Sequence, residues 1–369
     1  MIKKIMKSSI IIFLGFICLF CEKRQMKIND SVPSNYLNKY QISSVKREKI
    51  KSTIKSLKDI TIYLPNNYVK DGSEDYTKAL QRGIDNNENV ILPNFPILIN
   101  DKGLLLRSNT IIVFNKNSAL KKMTTNKSNY DILKISGVKN IKVYFANIIG
   151  DRYNHGGKDG EWGMGIGIWN SENIQIEIPR IKYCWGDGIY INHSNMITIN
   201  KPFLNNNRRN GLSIISGTNI TVDSLLATNH DGTAPKAGID IEPNNNYEEL
   251  KNIIINNPIT YNNTQGVLIA LEAMNGKTSK NMKITINNHT DDSSDYSLGL
   301  YVNKNRLNDA FLIGTIDIIN SKWINTKKEN ILFNKKENTN KNRIKINISN
   351  ITPSLDNKTK NKILELNSY

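Results

Sequence analysis

Apolar and polar residues alternate with period two in short runs that return along the chain. Six runs have the form Gly-apolar-x-apolar: Gly165-Ile166-Gly167-Ile168, Gly188-Ile189-Tyr190-Ile191, Gly211-Leu212-Ser213-Ile214, Gly238-Ile239-Asp240-Ile241, Gly266-Val267-Leu268-Ile269 and Gly299-Leu300-Tyr301-Val302. Their first residues are 23, 23, 27, 28 and 33 positions apart. A second strand follows each of the first four, usually opened by Asn: Asn173-Ile174-Gln175-Ile176, Asn195 to Ile199, Asn219 to Val222 and Asn252 to Ile255. Asn281-Met282-Lys283-Ile284 continues the series, and Asp131 to Val143 reads as an earlier copy. Period-two alternation puts Ile, Leu and Val on one face and the intervening residue on the other. Asn tolerates the left-handed backbone of a tight bend. A unit of about two dozen residues with two or three short strands cannot bury its own apolar face, whereas stacked units can. The pattern predicts an all-β solenoid, a right-handed parallel β-helix with at least six coils between about residues 105 and 345. A β-sandwich would need hairpin turns such as Asn-Gly between strands, and these are nearly absent.

Ahead of the repeats, Tyr76, Ala79, Leu80, Gly83 and Ile84 fall at i, i+3, i+4, i+7 and i+8. That spacing predicts a short capping helix over 75–85, started by Ser73 or Asp75 and ended by Asn86-Asn87. Two strands, Asn89–Pro93 and Pro96–Ile99, follow. Residues 22–58 are polar and Lys-rich without a period, which predicts a tether. The expected organisation is a targeting peptide over 1–21, the tether over 22–58, the β-helix over 59–350 and a C-terminal tail over 351–369.

Met1–Lys7 is basic, Ile10–Phe20 is apolar and too short to span a bilayer, and Cys21 is followed by Glu22-Lys23-Arg24. This plan predicts export with lipid attachment at Cys21; Cys18 and an ordinary signal peptide are the alternatives. The expected location is the bacterial cell envelope or outer surface, or secretion, with membrane contact through the lipid alone. The formal charge is +17, from 50 basic and 33 acidic residues, and removal of Lys3, Lys4 and Lys7 leaves 47 − 33 = +14. A basic surface favours anionic partners. The charge is spread, however, with no long Lys/Arg block. With three cysteines in the chain, a disulfide framework or thiolate metal site is excluded.

The run Asp71-Gly72-Ser73-Glu74-Asp75-Tyr76-Thr77-Lys78-Ala79-Leu80-Gln81, followed by Val90-Ile91-Leu92-Pro93, resembles the opening of the pectate-lyase-like β-helix proteins. The resemblance covers roughly residues 60–340. It implies that this opening forms the N-terminal capping helix and first coils, and it specifies no reaction.

With Ile239 and Ile241 inward, Asp240 and Glu242 point outward. The same register places Gly167, Tyr190, Ser213 and Asp240 in one outward column and Trp169, Asn192, Ile215 and Glu242 in the next. The loops ahead of these strands, Asp159–Trp162, Cys184–Asp187, Arg208–Asn210 and His230–Lys236, stack beside the columns. The candidate catalytic residues are Asp187, Asp240, Glu242 and Asp231. The candidate substrate-binding residues are Arg208, Arg209, His230, Lys236, Tyr190, Trp169 and Glu161. Each has a plainer role to weigh: Asp187 as a turn cap, Asp240 and Glu242 as solvated surface acids, Arg208-Arg209 as surface charge, Asp231 as a backbone acceptor. Trp162 and Trp185 fit packing under loops, Cys184 fits inert burial, and His155 and His193 are weaker candidates.

Acids, bases and indole rings together suit a polysaccharide, expected to be anionic. Two carboxyl groups could hydrolyse a glycosidic bond. Alternatively, Arg209, Lys236, Tyr190 or His230 could serve a lyase or uronate epimerase. No cofactor is expected for a hydrolase; calcium, near Asp187 and Asp231, would enter only with a lyase. Gly186-Asp187-Gly188-Ile189-Tyr190-Ile191 is similar to the paired-Asp strand of polygalacturonases, with Gly188 at the second Asp. Asn210-Gly211-Leu212-Ser213-Ile214 resembles their His strand, with Asn210 at the His. Hydrolysis ranks first, and a non-catalytic carbohydrate-binding solenoid is the non-enzyme alternative. A nucleic-acid role is not expected, and neither is an oligomer.

Overall fold

The computed structural model describes residues 31–303, 310–334 and 342–368. Each coil contributes one strand to each of three parallel sheets, ordered along the axis as the coils follow in sequence; among the described residues the sheets have 11, 9 and 9 strands. The result is a right-handed parallel β-helix of about nine turns, the hand expected for parallel crossovers.

Register explains the repeat. Ile166, Ile189, Leu212, Ile239, Val267 and Leu298 pair in succession and form one buried interior column. Each such side chain contributes about 1.5–3 kcal/mol by leaving water. The glycine ahead of each has a steric cause. A Cβ on Gly165, Gly188, Gly211, Gly238 or Gly266 would lie 2.5–2.8 Å from the carbonyl oxygen of the next coil. The sixth run is out of step: Gly299 pairs with Leu268, and Ser297 stands where the glycine belongs. The shift is two residues, so Leu298 and Leu300 still point inward.

Asn supplies the corners. Asn140, Asn173, Asn219 and Asn252 have φ of 60, 55, 55 and 56°. Their amides bond along the axis, Asn173 to Asn140 at 2.8 Å and Asn252 to Asn219 at 2.9 Å. In the coil between Asn173 and Asn219 the corner is Met196, at φ 55° and 44% exposed, rather than Asn195.

The helix Thr77–Asn86 covers the first coils with Leu80, Gly83 and Ile84. Asp75 accepts a bond from the Thr77 amide at 2.9 Å. Strand pairing begins at Lys58–Asp59.

The described part of the expected tether, residues 31–58, is instead fastened to the flank of the solenoid. The helix Ser34–Leu37, the 3-10 turn Asn38–Tyr40 and the helix Ser44–Thr53 carry Tyr36, Tyr40 and Arg47 in turn into contact with the coils. The Tyr36 hydroxyl donates to Asp292 at 2.9 Å, Arg180 donates to the Tyr40 carbonyl at 2.6 Å, and Arg47 lies over Phe145 at 4.2 Å. A few aromatic and arginine anchors spread over a polar segment suffice and give no periodic signal.

The expected tail is a cap. Asp356 accepts from the Thr359 amide at the start of the helix Asn357–Asn367. That helix lays Ile363 and Leu366 on the core. Asn367 bonds both polar groups of Ile346, covering the open sheet edge. No helix among the described residues is long and apolar enough to cross a membrane. Cys18 and Cys21 lie outside the described residues.

Candidate active site

Strand register delivers the expected outward column: Gly167 pairs with Tyr190, Tyr190 with Ser213, Ser213 with Asp240 and Asp240 with Leu268. The loops ahead of these strands bring Glu161, Asp187 and Arg209 alongside. Arg209 is the centre of the arrangement. Its Nε lies 3.4 Å from Glu161, its Nη1 3.4 Å from Asp187 and its Nη2 3.8 Å from Glu242. Nε also donates to the Ala234 carbonyl at 3.2 Å.

Beneath Arg209 is a buried network. Asp187 accepts from the Asn210 amide at 2.9 Å and from the Ser213 hydroxyl at 2.8 Å. The Asn210 side-chain amide donates to Asp240 Oδ2 at 2.9 Å, while its oxygen accepts from the Ala237 amide at 2.9 Å. Asp240 Oδ1 is buried with no hydrogen-bond partner.

Asp187 and Asp240 are therefore not the exposed sheet carboxylates expected from alternation. Both are fully buried, because the preceding loops and Arg209 fold over the outward face. Glu161 and Glu242 keep side-chain exposures of 46% and 36% and form the accessible layer.

Burial, and then the neighbouring Glu242, push Asp240 well above the usual carboxylate range. Burial also raises Glu242, with Arg209 opposing the shift and Glu161 and Asp187 adding to it. Asp187 is raised by burial against the pull of Arg209. Burial works against charge on Arg209, yet Asp187, Asp240, Glu161 and Glu242 together hold its proton more firmly than usual.

An aromatic group adjoins the acids. Trp169 and Tyr190 have centroids 4.6 Å apart, and Trp162 lies 6.4 Å from Trp169 with 42% of its surface exposed. Trp169 Nε1 donates to Asp131 at 3.0 Å, and burial raises this carboxyl to about 6. A Cβ on Gly167 would lie 2.4 Å from Asp131 and 2.5 Å from Trp169 Nε1, so glycine there makes room for the bond. Asp131 was missed from sequence as a site residue, and Asn210 and Ser213 were placed beside the acids but given no role. Asp131 belongs to the strand paired with Trp162–Trp169, so extending the register one coil back would have found it.

Four expected members stand apart from the cluster. Asp231 is 80% exposed and pairs with Lys236 at 3.7 Å. Both sit on the longest pre-strand loop, which meets Arg209 through the Ala234 carbonyl instead. Arg208 stacks over Trp185 at 3.7 Å and donates to the Gly160, Trp185 and Lys158 carbonyls. It thus positions the loop that presents Glu161. His230 is buried, accepts from the Asn207 amide at 3.2 Å, and is lowered by burial to about 3. Next to it in sequence, Asp231 is on the surface and His230 in the packed corner; adjacency said nothing about which way each turns. Trp185 and His155 stack at 3.8 Å under the same loop. Cys184 is buried, and burial raises its thiol.

Among the described residues, no group of three or more His, Cys, Asp or Glu side chains is arranged to hold a metal ion.

No family model matches the chain. The uncharacterized protein YclG of Bacillus subtilis is 30% identical over 179 residues, 42% of this chain. The match spans 31% of that relative's length. An exopolygalacturonase from Thermotoga maritima superposes with TM-score 0.56 at 11% identity, covering 83% of this chain and 84% of that one. The A-module of the mannuronan C-5 epimerase AlgE4 of Azotobacter vinelandii gives TM-score 0.53 at 13% identity, over 79% and 87%. Bacteriophage phi29 gene product 12 in its pre-mature form gives 0.53 at 13%, over 83% and 50%. Likenesses at these identities establish the fold alone, a parallel β-helix.

Proposed function

We propose that this chain is a polysaccharide-active enzyme that hydrolyses glycosidic bonds at the Arg209 cluster. What carries this assignment is the gathering of Glu161, Asp187, Asp240 and Glu242 on one guanidinium beside the exposed indole of Trp162. An inverting pair of carboxyl groups needs room for an attacking water, about 6.5–9.5 Å; Glu161 and Glu242, the two accessible acids, approach Nε and Nη2 of Arg209 from different coils. Burial raises the Glu242 carboxyl above its usual range, which favours its protonated form. Glu242 passes its proton to the leaving oxygen as the C–O bond breaks. Glu161 takes a proton from water, whose oxygen bonds to the sugar carbon. Asp187, Asn210 and Ser213 hold Arg209 and Asp240 in place. Trp162, Trp169 and Tyr190 offer ring faces to a sugar. The shared fold of an exopolygalacturonase and an epimerase module supports action on a polysaccharide.

Elimination or epimerisation fits less well. Both need a base and a cation free to neutralise a uronate. Arg209 is already engaged by acids, His230 is buried away from the cleft, and burial raises the Tyr190 phenol.

The test is turnover of a polysaccharide panel, followed by reducing ends and by the absorbance of unsaturated uronates. Hydrolysis gives reducing ends alone. Absorbance with reducing ends would transfer the site to a lyase, and binding without either would make it a carbohydrate-binding solenoid. Glu242→Gln should lower the rate by about 10²–10⁴ with an unchanged melting temperature. We further propose export and lipid attachment at Cys21; Cys21→Ser should move the protein from membranes to the soluble fraction, and an unchanged membrane fraction would remove the anchor.

A further inference from the structure

Although the chain as a whole carries +17, the Arg209 cluster is locally acidic. Glu161, Asp187, Asp240 and Glu242 face one guanidinium, and Asp131 lies behind Trp169 on the same face. Lys236 pairs with Asp231 at 3.7 Å, whereas the ion pairs of Glu161, Asp187 and Glu242 are with Arg209. Arg208 is occupied with Trp185 and three carbonyl oxygens. The cluster is also rich in acceptors. Glu161 and Glu242 expose carboxylate oxygens, and Asn192 Oδ1, in the column that leads to Glu242, has no hydrogen-bond partner. A ligand that completes these groups brings donors.

We infer that the sugar bound at this cluster is uncharged or bears an amino group, and that the substrate is a neutral or amino-sugar polysaccharide rather than a polyuronate. The inference rests on the proposal that this cluster is the substrate site. Hydroxyl or ammonium donors would satisfy the exposed oxygens of Glu161 and Glu242. A uronate would place a further carboxylate among four others, with Arg209 already shared between them. The sugar face has its own seat on Trp162, Trp169 and Tyr190, which needs no charge. The basic remainder of the surface attracts polyanions without selectivity, an attraction screened beyond about 8 Å at physiological salt.

The experiment compares polymers of one backbone that differ in charge. Binding of the full chain to polygalacturonate and to its fully methyl-esterified form is measured by affinity electrophoresis, with chitosan as the amino-sugar probe. Measurements are made at low salt and at about 0.15 M salt. The expected result at the higher salt is binding to the ester or to chitosan tighter than to polygalacturonate by on the order of tenfold or more. The double variant Glu161→Gln/Glu242→Gln, checked for an unchanged melting temperature, should narrow that gap by relieving the repulsion. Tighter binding of polygalacturonate at the higher salt, lost on Arg209→Gln, would overturn the inference. Failure of both uncharged and amino polymers to bind would also overturn it. Selective binding without released reducing ends would instead sink the hydrolase proposal and leave the charge preference standing.

Discussion

Residue by residue, burial separates the acids of the cluster into two kinds. Glu242 is partly exposed, and a Gln there leaves the packing intact, so its stability cost should stay within about 0.5 kcal/mol. Asp187 accepts from Asn210, Ser213 and Arg209 while fully buried. Asp187→Asn turns one acceptor into a donor facing these groups, and should cost about 1–3 kcal/mol. Urea midpoints of the two variants should therefore differ clearly; equal midpoints would mean that the network beneath Arg209 is not formed. Protonation adds a second expectation. His230 and His289 are buried and lowered from 6.5 to about 3, so the folded state binds fewer protons than the unfolded chain in that interval. Their contribution is full above pH 6.5 and is lost as pH falls toward 3, by an amount on the order of 5 kcal/mol each. Asp131 acts oppositely. Raised from 3.8 to about 6, it favours the fold below pH 3.8, and that contribution is lost as pH rises through 6. Asp131→Asn should thus remove a fall in stability with pH between about 4 and 6, steepening the rise there, and His230→Gln should remove part of the rise between about 3 and 6.5. Thermal melts across pH 3–8 read both slopes.

Among the elements, the corner and the coil contact are the units that decide fit. Left-handed backbone costs an ordinary side chain about 1–2 kcal/mol, and Asn much less. Met196 interrupts a column otherwise made of Asn140, Asn173, Asn219 and Asn252. Met196→Asn should stabilise the fold by about 1 kcal/mol, seen as a higher urea midpoint; a lower one would mean that the thioether packs usefully at the corner. Gly211→Ala should do the reverse, since its Cβ would meet the Gly238 carbonyl at 2.5 Å and His230 Nε2 at 2.7 Å. Overpacking of this kind costs about 1–3 kcal/mol. These elements were legible in the sequence because a repeated backbone geometry imposes the same residue type in every coil. The corner at Met196 and the shifted Gly299 were misplaced from sequence for the same reason. A regular repeat was extended through positions where neighbouring coils tolerate an exception.

For the whole molecule, the ends matter as much as the repeats. A solenoid exposes sheet edges at both ends, and such edges template association unless covered. Removing the helix Asn357–Asn367 should expose the edge at Arg343–Ser349 and produce concentration-dependent oligomers in light scattering, whereas the full chain should not. Taken alone, the sequence determined the class of fold, the N-terminal capping helix, the inward columns and the outward alignment of Tyr190, Ser213 and Asp240. All follow from period-two alternation, steric demands at Gly and Asn, and a spacing that repeats from coil to coil. Only the tertiary structure decided that Asp187 and Asp240 are buried, that Arg209 binds the acids of three coils, and that Asp231, Lys236, Arg208 and His230 engage other partners. The segment near Tyr36 and the helix near Ile363 were likewise docked by contacts that leave no period. Non-repeating loops have no register to predict their direction. Burial, and with it the electrostatics of the acids, depends on how those loops fold over the sheet.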